Sequence, residues 1–238
     1  MRAPKRIAAA AALLGASWIA VAASGAESRC FGEVSDGRLE SGIALPRRGS
    51  NFAAYSALAA TLGRTYVHAT VSDIVADAYA EIAATDPEYV YVYGETGLSG
   101  GGPFPPHRTH QNGLSVDFFV PVRDGKGKPA ALPTHAGNRF GYDIEFDRRG
   151  RHAEYAIDFP AMAEHLYRLH RAAESRGAGI ALVIFERAYL PALFATPRGA
   201  WLRRNLSFMQ RDPWVRHDEH YHVDFALPCA PLGRDAGR

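Results

Sequence analysis

Two short runs carry five of the chain's ten histidines: His107-Arg-Thr-His110-Gln-Asn-Gly-Leu-Ser-Val-Asp117 and, far along the chain, His217-Asp-Glu-His220-Tyr-His222-Val-Asp224. Each cluster is followed by a carboxylate at a spacing that lets it face the same point as the imidazoles. Buried or semi-buried histidines are uncommon enough that two unlinked clusters of this kind need a reason. A fold that uses both must bring two remote segments together, and this limits the architecture more than any local propensity does.

Local geometry favours that convergence. His110 sits in a Gly/Pro-rich loop, while Ser115 to Val120 has the β-branched and aromatic content of a strand, with Asp117 pointing to one face between Val116 and Phe118. If Tyr221 to Phe225 is also a strand, His220 and His222, two residues apart, project from one face. Neutral imidazoles plus one carboxylate are donors suited to Zn(II), and three protein ligands leave a fourth position for water, the mark of a catalytic zinc site. His110, Asp117 and His222 are the expected ligands of one ion. The bland alternative is a surface or core histidine cluster, since His-x6-Asp or His-x-His alone is weak evidence.

Thr109-His-Gln-Asn-Gly-Leu-Ser-Val-Asp117 followed by His217-Asp-Glu-His-Tyr-His222 resembles the LAS group of zinc peptidases. Within that group it is most similar to the penicillin-insensitive murein endopeptidases, whose pattern is His-x-x-Ser-His-Gln-x-Gly-Leu-x-Val-Asp and then His-x-x-His-x-His. Thr109 stands where the family has serine and keeps a hydroxyl beside the ligand. The resemblance covers both motifs and their order and is thin elsewhere. It implies a peptidoglycan substrate, with cleavage of the D-alanyl cross-link between stem peptides, and a periplasmic location in a bacterium.

Three residues compete for the general base. His220 shares the strand face of His222 and is the first choice, supported by the family's His-x-His. His217 aligns with the first histidine of the family cluster, as base or hydrogen-bond donor. Glu219-His-Tyr-His222 also matches the Glu-x-x-His of D-Ala-D-Ala dipeptidases and carboxypeptidases, where the glutamate is the base. Alternation puts Glu219 on the face opposite His220 unless the chain kinks before the strand. His107 orients substrate, or holds a second ion with Asp147 and His152 as the family suggests. Arg108 is a candidate for a substrate carboxylate or a solvent-facing arginine. Asp224 either orients a ligand ring or pairs with a core arginine. His68, His135, His165 and His170 are expected to be structural or surface groups. Two alternatives to the endopeptidase remain: a D,D-carboxypeptidase or dipeptidase that trims stem peptides, and a non-catalytic zinc-stabilised wall-binding protein.

The rest of the chain frames this site. Residues 1–26 pair Arg2, Lys5 and Arg6 with an apolar Ala/Leu/Ile run and small residues, a secretory signal; the Ala-rich run from Ile7 to Ala23 is short for a membrane anchor. Removing its three positive charges takes the formal net charge from +2 to −1, so the sequence pI of 8.6 says little about the exported form. No Arg/Lys stripe with interleaved aromatics supports nucleic-acid binding. Cys30 and Cys229, the chain's two cysteines, are expected to form one disulfide in an exported protein, two free buried thiols being the alternative.

Residues 27–238 are expected to form one α+β domain, a small, mostly antiparallel sheet carrying the zinc site, flanked by helices and long loops. Cys30 to Gly63 reads as irregular, and Tyr66 to Ala69 as a short strand. Ser72 is expected to cap a helix ending before Pro87, with Ile74, Val75, Ala78, Tyr79 and Ile82 inward. Tyr89 to Tyr93 alternates as a strand. The glycine-rich loop from Gly94 to Pro106 lacks the Lys-Ser/Thr and the helix that a phosphate loop needs, and is expected to line a substrate cleft. Tyr142 to Phe146 and Tyr155 to Asp158 look like a hairpin, Pro160 opens a helix to Arg176, and Ile180 to Phe185 reads as a buried strand. Pro191 to Phe194 and Trp201 to Phe208 are expected to be short helices.

Overall fold

A computed structural model describes residues 27–233 of the chain; the expected signal segment, residues 1–26, lies outside the described residues. The central sheet has five strands: β1 (Phe52–Ala54), β2 (Tyr91–Tyr93), β3 (Ser115–Phe119), β4 (Gly179–Ile184) and β5 (His220–Ala226). Their spatial order is β4-β5-β3-β2-β1, antiparallel throughout except for the parallel β1–β2 pair. This is the expected α+β domain, and β3 and β5 run side by side at its middle.

One face of this sheet is covered by two long helices, α2 (Ala69–Thr85) and α3 (Phe159–Ser175). Val116, Phe118, Tyr221, Val223 and Phe225 alternate toward that side and are all buried. Tyr79 of α2 stacks on Phe52 with centroids 4.7 Å apart, and His165 of α3 meets Phe118 at 4.8 Å. Positions facing the other way on β3 and β5 are Ser115, Asp117, Phe119, His220, His222 and Asp224. They too are buried, because loops cover that face, so the strands read as continuous buried runs.

The apolar spacing expected of α2 holds, with Ile74, Val75, Ala78, Tyr79 and Ile82 inward, but its start is earlier. His68, not Ser72, is the N-cap; its Nδ1 accepts from Thr70 N at 3.2 Å, and its carbonyl already receives Ser72 N. Helix α3 opens as expected, with Asp158 accepting from Ala161 N and Pro160 in the first turn. The short helices α4 (Leu190–Phe194) and α5 (Gly199–Asn205) precede β5.

Three local expectations fail for identifiable reasons. Cys30 to Gly63 is ordered: Arg29–Glu33 and Asp36–Glu40 form a hairpin, Phe52–Ala54 joins the sheet edge, and Ser56 caps the one-turn helix α1 (Ala57–Thr61). Its tertiary pairings carry little periodicity to read. Tyr142 to Phe146 is not a strand, because Asp218 captures Phe146 N and the Tyr142 hydroxyl turns into the site; the hairpin is Arg151–His152 with Tyr155–Ile157. Strand β4 lies at the sheet edge, so Val183 and Ile184 are buried while Ala181 is exposed. Cys30 and Cys229 form the expected disulfide, 199 residues apart in sequence. No helix among the described residues is long and apolar enough to cross a membrane.

Candidate metal centre

Strand pairing sets the site. His222 on β5 lies directly across from Asp117 on β3, and Asp224 across from Ser115, so the side chains of both motifs leave the sheet on one face, two residues apart along each strand. Asp117 is 0 % exposed and is the hub. His110 reaches it from the preceding loop, where its backbone takes a left-handed φ of 68° ahead of Gly113 at 78°. For a histidine that conformation costs roughly 1–2 kcal/mol and aims the ring back under the sheet.

Four imidazoles surround the Asp117 carboxylate, and they divide by oxygen. His110 Nε2 lies 3.3 Å and His222 Nδ1 2.9 Å from Oδ1, whereas His107 Nδ1 and His220 Nε2 lie 3.9 Å and 3.8 Å from Oδ2. Each ring is held through its far nitrogen. The Thr96 carbonyl accepts from His110 Nδ1 at 3.1 Å, and the carboxylates of Asp224, Glu95 and Glu219 hold His222, His107 and His220 at 2.7, 2.5 and 2.7 Å. Outer partners of this kind orient ligating imidazoles and raise their basicity. Ser115 donates to Asp224 at 2.6 Å, and the Tyr142 hydroxyl donates to Asp117 Oδ2 at 3.0 Å.

The donor set suits a cation. His110 Nε2 is buried with no hydrogen-bond partner, a costly state for a ring nitrogen unless it has something to bind. Burial drives His110 toward its neutral, ligating form, Asp117 offsetting this only in part. Burial would raise the Asp117 carboxyl, yet the imidazoles crowded round it, with the hydrogen bond from His222, hold it well below the usual carboxylate range. Burial likewise opposes charge on His222, but Asp224 and the hydrogen bonds to Asp117 and Asp224 lift it to about 10. Positive charge is therefore favoured between those two carboxylates. Among the described residues the metal-capable group is His107, His110 and Asp117, whose ligand atoms lie within 4.8 Å of one another; the expected ligand His222 stands outside it, and His107 takes the third place there.

Other candidates are placed plainly. Glu219 is brought in, because the chain reaches β5 through a bend and its carboxylate lands on His220. Burial is offset by Glu219 and Asp117, which keep His220 above the ordinary histidine value. Burial, reinforced by His220, pushes His217 down to about 3; its Nδ1 donates to the Val215 carbonyl at 2.9 Å and its ring lies 4.6 Å from that of His220. Asp224 orients a ring and pairs with no arginine among the described residues. Arg108 is exposed, over Trp214 at 5.4 Å. Asp147 caps its own turn through Arg149 N and Arg151 N, and His152 bonds the Glu145 carbonyl. Neither joins His107 in a metal-capable group among the described residues. His68 caps α2, and His165 is core.

A cavity of about 600 Å³ opens on the Oδ2 side of Asp117, lined by His107, Tyr142, His217, Glu219 and His220 among others. Leu58 and Leu62 on one wall and Trp214 and Val215 on the other are exposed apolar groups, 56, 65, 39 and 53 % accessible. The Gly94–Pro106 loop lines it through its two ends, Glu95 and Pro106, and not through its glycines. Gly94 instead lies under the site, where a Cβ would stand 2.4 Å from the Tyr142 hydroxyl and 3.0 Å from Asp117 Cβ.

The family model described as penicillin-insensitive murein endopeptidase matches residues 30–184. The chain belongs to this family. Murein endopeptidases are peptidases of the cell wall, so the chain is a peptidoglycan hydrolase whose substrate class is murein peptide. The matched span contains His107, His110 and Asp117 but ends before β5, and it is the β3–β5 pairing that adds the second histidine run to the cluster. No curated protein matches the chain.

Sequence reasoning missed Glu95, Thr96, Tyr142 and the Tyr55–Arg64 pair behind Glu95. Glu95 alone left a trace: one acid just past an aromatic strand, at the head of a glycine loop.

Proposed function

We propose that the protein is an exported, zinc-dependent endopeptidase that hydrolyses D-alanyl cross-links between peptidoglycan stem peptides. The observation that carries this reading is the division of four imidazoles between the two oxygens of one buried carboxylate. His110 Nε2, Asp117 and His222 Nδ1 would hold the ion. The imidazole nitrogens stand 3.3 Å and 2.9 Å from Oδ1, close enough for the three atoms to share one small cation. His222 is preferred to His107 because it shares that oxygen with His110. When bound, zinc supplies Lewis-acid polarisation of the scissile carbonyl and lowers the pKa of a water toward ~7.

The protein's own groups do the rest. His220 is the general base: Glu219 holds its Nδ1–H, which leaves Nε2 bare on the cavity side to take the proton of the attacking water and pass it to the leaving amine. His217, kept neutral beside it with its one N–H given to the Val215 carbonyl, turns a bare Nε2 to the cavity and accepts a hydrogen bond there from the attacking water or the substrate's N–H. Tyr142 keeps Asp117 from rotating. The apolar walls hold the two peptide arms and exclude bulk water.

Digestion of purified murein sacculi tests the reading. Loss of cross-linked dimers with gain of monomers is expected. Free D-alanine alone would replace it with the D,D-carboxypeptidase reading, and sacculus binding that survives His220→Ala, with no hydrolysis by the unsubstituted protein, would replace it with a wall-binding role.

A further inference from the structure

We propose that Glu95 is a positioning residue that holds His107 as a second imidazole aimed at the reacting side of the centre, opposite His220. This rests on the zinc-peptidase reading above. Glu95 is 8 % exposed and carries more hydrogen bonds than a structural salt bridge needs. Arg64 grips both its oxygens, Nε on Oε1 and Nη2 on Oε2 at 2.9 Å; the Tyr55 hydroxyl donates to Oε1 at 2.7 Å, and His107 Nε2 lies 2.5 Å from Oε2.

With Arg64 and the Tyr55 hydroxyl donating to it, Glu95 meets His107 as an acceptor, so the ring turns an N–H at Nε2 toward Oε2 and, as the neutral tautomer, carries its lone pair at Nδ1. Nδ1 is the atom that faces Asp117 Oδ2, on the cavity side where His220 Nε2 also points. Phe104 stacks on the His107 ring, with centroids 5.4 Å apart and planes 24° apart, and Arg64 in turn lies over Phe104 at 4.1 Å. Ring orientation is thus fixed by one hydrogen bond and one stacked face. The pair Glu95–His107 repeats Glu219–His220 across Oδ2, so the attacking water meets two acceptors, His220 as base and His107 as the group that fixes the direction of its second O–H.

The test is a double-substitution cycle on the zinc-loaded protein, using Glu95→Gln, His107→Gln and both together. It reads kcat, KM and zinc content with a cross-linked peptide dimer as substrate, alongside a two-bond proton–nitrogen correlation of the histidine rings in the unsubstituted protein. In Glu95→Gln, kcat is expected to fall ~10- to 100-fold with zinc still near one per chain, and adding it to His107→Gln should lower kcat no further. Independent, multiplying losses, or zinc lost from Glu95→Gln, overturn the assignment. The ring spectrum should show His107 protonated at Nε2 and bare at Nδ1; a proton on Nδ1 overturns it even if Glu95→Gln fails to fold. Absent zinc or absent hydrolysis in the unsubstituted protein counts against the zinc-peptidase reading instead, and the ring spectrum then decides the positioning role by itself.

Discussion

His165→Gln should flatten the acid limb of the stability curve by an amount that follows from burial. His165 on α3 is 0 % exposed, walled by Tyr79, Tyr91 and Phe118 with ring centroids 5.1, 5.0 and 4.8 Å away, and hydrogen-bonded to the Tyr221 hydroxyl; its Nε2 has no partner. Burial pushes its imidazole from the ordinary 6.5 down to about 3. In the unfolded chain the ring takes up a proton near pH 6.5, whereas the folded ring does not until about 3. Between those values the unfolded state binds more protons, so stability present above pH 6.5 drains away as pH falls, at up to ~1.4 kcal/mol per unit. The loss is ~2 kcal/mol by pH 5 and approaches ~5 kcal/mol at the bottom of the window.

Glutamine does not titrate. At pH 7.5 the substitution costs ~1–3 kcal/mol, because an amide in an aromatic cage satisfies its hydrogen bonds poorly. By pH 5 that deficit should shrink by ~2 kcal/mol. Equilibrium urea unfolding of both proteins at pH 7.5, 6 and 5, disulfide intact, measures it. Metal linkage cancels in the difference, since His165 lies behind Phe118 and Tyr221, on the face of the sheet away from Asp117. A deficit that stays constant with pH would refute the reasoning and mean that the folded ring takes up its proton as readily as the unfolded one.

Three further outcomes are expected. His222→Ala or Asp117→Ala should take zinc well below one per chain, while His220→Ala keeps zinc and loses ~10²- to 10⁴-fold in turnover; plasma emission with a dimer-cleavage assay separates them, and full zinc in the Asp117 variant removes it from the ligand set. Gly94→Ala should push Tyr142 off Asp117, given a Cβ contact of 2.4 Å, and cost ~1–3 kcal/mol by urea unfolding together with a drop in kcat; unchanged stability and turnover would contradict the packing described. Joint replacement of Cys30 and Cys229 by serine should cost ~2–5 kcal/mol, as expected for a link that closes most of the domain. A loss under ~1 kcal/mol would mean that the backbone bonds Gly32 N to Ala230 O and Ala230 N to Cys30 O already hold the ends together.

What could be read from the chain is what strand alternation and ligand chemistry encode locally. Asp117, His220 and His222 sharing a face follows from a period of two, and the inward stripe of α2 from its apolar spacing. The early start of α2 was not legible, since His68 becomes a cap only once Gly113 O fixes its backbone N–H. Nor was the role of Tyr142, whose hydroxyl reaches Asp117 through the Ala136–Gly141 turn with Arg139 and Phe140 at positive φ. Glu219 defeated alternation for a related reason: it precedes the first paired residue of β5, where the period of two does not yet apply. Tertiary partners decided each of these cases, and no neighbour in sequence announces them.

The same strand logic shows how narrowly the centre is specified. His222 faces Asp117 because β5 pairs with β3 at one register; a slip of one residue would turn His220, His222 and Asp224 onto the helix side and bring Tyr221 and Val223 out into the cleft. The buried aromatics hold that register. Tyr221 stacks on Phe118 at 5.6 Å and meets Phe185 at 6.4 Å, and all three side chains are 2 % exposed or less. A slipped strand would have to bury two imidazoles and a carboxylate among them at several kcal/mol each. The apolar face of β5 therefore fixes which histidine reaches which oxygen of Asp117, and Tyr221, buried on the opposite face of the sheet, sets that geometry as firmly as the clustered side chains do.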